Sequence, residues 1–190
     1  MIEQISALVQ QFAGNAIVNN TAIPNEKNDA VISETGSSIL SSLQGLASNS
    51  SNFGGIAEIL SGKSSISLSN PIVKQLVSMV ASNLTQKTGI SSDAASNVST
   101  SIIPSVLTGL LGKANNSSDS SIDIMGMVQA LTGGNSSNSN GLMSMIASAG
   151  GKAILDQNGD GKVDMQDAVS AVSGGGKSGI GGMLGKLFGK

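Results

Sequence analysis

A chain of 190 residues with 39% hydrophobic side chains and a net charge of −2 carries enough apolar material for one compact domain or two small ones. It contains no His, Cys, Trp, Tyr or Arg, which excludes thiol nucleophiles, imidazole acid–base catalysis and zinc or haem sites built on His or Cys. Bidentate arginine recognition of phosphate or guanine is excluded as well, and only three Phe could stack on bases, so nucleic acid is set aside as a partner.

The core must be aliphatic, with eight Met to fill the gaps that aromatic rings usually fill. The first residues, MIEQISALVQQF, have an early Glu3, no basic stretch and no small-residue cleavage site, unlike a secretory signal. No uninterrupted apolar run approaches the roughly 20 residues that cross a bilayer. The default expectation is a cytoplasmic protein.

In the first segment Ile2, Ile5, Leu8, Val9, Phe12, Ala13 and Ala16 recur at intervals of three and four, the stripe of an amphipathic helix. Asn70-Pro71 predicts a helix start, since Asn caps well and Pro suits the first helical position. The apolar face that follows is Val73, Leu76, Val77, Val80 and Leu84, and Gly89 is the expected stop. Pro104, inside SIIPSVLTGLL, predicts a break or kink. The stretches SNSSN from Ser48, NNSSDSS from Asn115 and NSSNSN from Asn135 read as linkers, because Ser and Asn favour turns and caps over helix interiors. No alternation of period two lasts long enough to predict a sheet.

Parts of the chain recur. ALVQQFAGNA from Ala7 aligns with QLVSMVASNL from Gln75; Val31, Leu40, Leu43 and Gly45 align with Val98, Leu107, Leu110 and Gly112; GIAEILSG from Gly55 aligns with GMVQALTG from Gly126. A third partial copy pairs DIMGMVQALTGG from Asp123 with DMQDAVSAVSGG from Asp164, 41 residues on. Each unit reads helix, turn, helix, linker, short helix, Gly stop. The expected organisation is an N-terminal helical unit over 1–62, a second over 63–134, a loop-and-helix segment over 141–176 and a Gly-rich amphipathic tail over 177–190.

The stretch with chemistry in it is DQNGDGKVDMQD, Asp156 to Asp167. Calcium is a hard cation that takes six to eight oxygens, and a 12-residue loop can supply them at alternate positions. Position 1 is Asp156, position 3 Asn158 and position 5 Asp160. Gly161 allows the sharp turn. Lys162 at position 7 offers its backbone carbonyl, Asp164 at position 9 acts through a water, and Asp167 at position 12 closes the cage from the first turn of the outgoing helix. Four carboxylates beside one Lys repel one another unless a cation offsets them.

From Leu155 to Ala171 the chain resembles the EF-hand family, including the single loop-and-helix form seen in dockerin-like repeats; Leu155 takes the apolar position before the loop and Val163 the branched one inside it. The resemblance implies Ca2+ binding at Asp156, Asn158, Asp160, Lys162, Asp164 and Asp167. The family usually has Glu at position 12; the shorter Asp167 lowers calcium affinity or shifts selectivity toward Mg2+. The helix entering the loop, GLMSMIASAGGKAIL, carries Gly150-Gly151 and is expected to be short or broken. A lone loop suggests a structural clip or a contact with a second copy or a protein partner, more than a sensor that opens a groove.

The stretch from Asn70 to Lys113 followed by DIMGMVQALTGG resembles the YidB-like bacterial proteins, of unknown function, through Ile90 to Asp93, Ile102 to Pro104 and Gly133-Gly134. That resemblance implies a helical fold and supplies no mechanism.

In the last residues, GIGGMLGKLFGK, a helix would place Ile180, Met183, Leu184, Leu187 and Phe188 on one face, with Lys177, Lys186 and Lys190 adding charge. Such a segment suits a membrane surface. Its place after a Gly-Gly stop, like GLMSMIAS after Gly133-Gly134, favours closure of the bundle instead. The fold expected is all-α, a helical bundle of two related units plus a C-terminal EF-hand-like loop and helix. The function expected is calcium-dependent structure or interaction without catalysis, with membrane attachment through the tail as the alternative. An enzyme would need Ser or carboxylate chemistry, and Glu34 and Glu58 are expected to be ordinary solvated helix residues.

Overall fold

The computed structural model describes residues 1–114 and 124–148. Among them stand seven α-helices and no strand: α1 (Ile2–Ala13), α2 (Asn28–Ala47), α3 (Phe53–Leu60), α4 (Pro71–Thr88), α5 (Ser92–Ala114), α6 (Ile124–Leu131) and α7 (Ser136–Ile146). The all-α expectation holds.

Four long helices form the centre. α1 packs on α2, α2 on α4, α4 on α5, and α5 back on α1, closing a ring around an aliphatic core. Ile5 and Val9 from α1, Val31 and Ile39 from α2, Val73 and Leu84 from α4, and Ile102 and Val106 from α5 are fully buried there. The stripe seen in the first segment is real but unevenly used: Ile5, Leu8, Val9 and Ala13 are buried, while Ile2 is exposed. α1 and α5 approach closely at Gly109, where an added Cβ would stand 2.8 Å from Leu8 Cδ2. α3, α6 and α7 gather outside the ring: α7 lies on α3, and α6 on α2.

The boundaries of α4 follow their local chemistry. Asn70 Oδ1 accepts from the backbone N–H of Ile72 at 2.9 Å and of Val73 at 3.4 Å, and Pro71 follows it. The helix ends at Gly89, whose φ of +63° is left-handed. Lys27 adds a cap that sequence spacing does not show. Its Nζ donates to the carbonyls of Thr88 and Gly89, each at 3.0 Å, where the helix dipole and orphan carbonyls favour a cation.

Two sequence expectations are corrected, the break at Pro104 and the reading of the Ser/Asn-rich stretches as plain linkers. α5 runs unbroken through Pro104, with Ile102, Ile103, Val106 and Leu107 buried on either side. Proline removes one N–H, and burial on both flanks outweighs that loss. The serine- and asparagine-rich stretches at Ser48 and Asn135 are not plain linkers. Asn49 accepts from Ser51 N at the start of a 3-10 turn, and Asn135 accepts from Asn138 N to start α7, so Ser136 to Asn140 are helical. Asn acted here as an N-cap, the other outcome its side chain favours.

Among the described residues α5 is the one helix long and apolar enough, by length and composition, to cross a membrane. Half of its most apolar stretch is buried inside the bundle, as in a core helix.

Candidate functional site

The residues predicted to hold calcium, Asp156, Asn158, Asp160, Lys162, Asp164 and Asp167, lie outside the described residues. So do Gly150-Gly151, the second half of the 141–176 segment and the whole of 177–190. What is described is the helix that leads toward them. Gly133 and Gly134 both take positive φ and turn the chain from α6 into α7, and a 2.6 Å hydrogen bond between Thr132 and Ser139 hydroxyls ties that turn. α7 then buries Leu142, Met143 and Ile146. Gly141 brings it so near α3 that a Cβ there would stand 2.8 Å from Phe53 Cε2.

The donor set of the loop suits a hard cation on chemical grounds: four carboxylates, one amide and one backbone carbonyl, all oxygen. Among the described residues no three acidic side chains stand close enough to hold a metal ion. Their acids, Glu3, Glu26, Asp29, Glu34, Glu58 and Asp93, are spread along the chain. In sequence, the crowding of Asp156 to Asp167 has no parallel among the described residues.

Glu34 is not the ordinary solvated residue that its sequence suggests. Lys87 Nζ, from α4, donates to Glu34 Oε1 at 2.8 Å, and Ser38 Oγ donates to the same oxygen at 2.6 Å. Burial pushes the carboxyl up, but the bonds from Lys87 and Ser38 and the lysine charge outweigh it and hold the pKa below its usual value. A general acid needs the opposite shift. Because the folded pKa lies below the unfolded one, this pair stabilises the fold above the ordinary carboxylate pKa of about 4.3, and the contribution is lost as pH falls through the folded value. Glu34→Gln is expected to cost at most about 1 kcal/mol at neutral pH, since Lys87 is largely exposed. Urea unfolding at a series of pH values from 7 downward checks it: the variant's deficit should shrink as the pH falls below the ordinary carboxylate range. A deficit that does not change with pH would mean the charge pair is not its source.

Glu58 is exposed on α3. The hydroxyls of Ser42 and Ser99 have no hydrogen-bond partner, yet both side chains are almost wholly buried, out of a substrate's reach. A strongly apolar cavity lies at the end of the ring where α4 begins. Leu43, Leu60, Leu76, Leu110, Met127 and Leu131 are among the side chains around it, and its volume is about 40 Å³. Its lining is almost wholly apolar and offers a water no hydrogen bonds, and it presents no polar group that would orient a substrate.

Sequence spacing gave no hint of several contacts: Lys27 on the end of α4, Glu34 with Lys87, and Gln44 Nε2 donating to Ala130 O at 3.0 Å. Each joins residues more than fifty positions apart, beyond any helical or turn periodicity. Set against models of protein families, curated proteins and solved structures, the chain matches none of them, so both family resemblances rest on the residues quoted for them.

Proposed function

We propose that this protein binds calcium through residues 156–167 and serves a structural or interaction role without catalysis, the metal stabilising its C-terminal helical part. The observation that carries the reading is the spacing of Asp156, Asn158, Asp160, Asp164 and Asp167 around Gly161. Support comes from the scarcity of charge elsewhere. With 12 acidic residues in the chain, four within one 12-residue stretch is a local excess that a divalent cation would neutralise. Asp167 leaves Mg2+ as the competing ion.

Isothermal titration of calcium into the full chain, beside Asp156→Ala and Asp160→Ala, tests it. The parent should release or absorb heat at one site, and both variants should lose it. A ligand that binds only the folded form also raises stability, by about 4 kcal/mol at a thousandfold excess over Kd. The thermal midpoint should accordingly be higher in calcium than in chelator. Absence of calcium heat in the parent ends the proposal.

The two-unit organisation belongs to the same reading. α1, α2 and α3 have 12, 20 and 8 residues, and α4, α5 and α6, which follow in the same long, long, short order, have 18, 23 and 8. α3 and α6 are each followed by a glycine of positive φ, Gly62 and Gly133. Such a pairing supports descent of both halves from one helical unit.

A further inference from the structure

We draw no further inference here: the strongest candidate, the apolar cavity of about 40 Å³ at the end of the ring where α4 begins, carries no polar group that would select a ligand, and nothing in the structure shows what fills or covers it.

Discussion

Leu76→Ala is expected to cost about 3–5 kcal/mol of folding stability, the largest loss from any single truncation argued for this chain. Leu76 is fully buried in α4, the helix that packs on both α2 and α5. It also borders the apolar cavity. Removing its isobutyl group therefore enlarges a void that the surrounding leucines already fail to fill, which places the cost in the upper part of the range for Leu→Ala. In a chain of this length each kcal/mol moves the melting midpoint by about 2–4 °C, so a fall of roughly 10 °C is expected. Urea unfolding followed by far-UV circular dichroism is the measurement, because a chain without Trp or Tyr gives little fluorescence signal. Gln75→Ala, at the exposed neighbouring position, serves as control and should change stability by less than about 0.5 kcal/mol. Equal losses from the two variants would mean that this face of α4 does not form the core.

Asn70→Ala is expected to cost about 2 kcal/mol through a different physical route. The side chain works at both ends. Its oxygen accepts from Ile72 N and Val73 N, and its amide nitrogen donates to Ser64 Oγ at 2.8 Å and Ser65 O at 3.4 Å. Loss of a cap alone costs roughly 1 kcal/mol. At 7% exposure the abandoned groups have little access to water, which adds to that cost. Asn70→Asp separates the two halves. A carboxylate keeps the accepting oxygens and suits the positive end of the helix, but it cannot donate to Ser64. Its stability should fall between those of the parent and the alanine variant. If Asn70→Asp is as damaging as Asn70→Ala, the cap is not what the residue contributes.

The sequence was most legible where structure is decided within one or two helical turns. The Asn70-Pro71 start, the face of Val73, Leu76, Val77, Val80 and Leu84, and the stop at Gly89 all appear in α4 as their local chemistry dictates. It was least legible where a local tendency was outweighed by burial or could go two ways. Pro104 reads as a breaker, yet buried neighbours carry α5 through it. Asn135 reads as linker, yet an Asn side chain that favours turns is equally an N-cap, and which outcome prevails depends on the apolar residues that follow. Glu34 reads as solvated because nothing within a few positions of it is basic; its partner arrives on α4. The candidate calcium loop is legible in a third sense. Its donors are local in sequence, so spacing can name them before any packing is known, and it is on that spacing that the proposed function stands.

The apolar cavity at the start of α4 is volume that the native state holds and the unfolded chain gives up. Hydrostatic compression favours the smaller total volume, so the space among Leu76, Leu110 and Met127 makes this bundle more sensitive to pressure than the same helices packed without it.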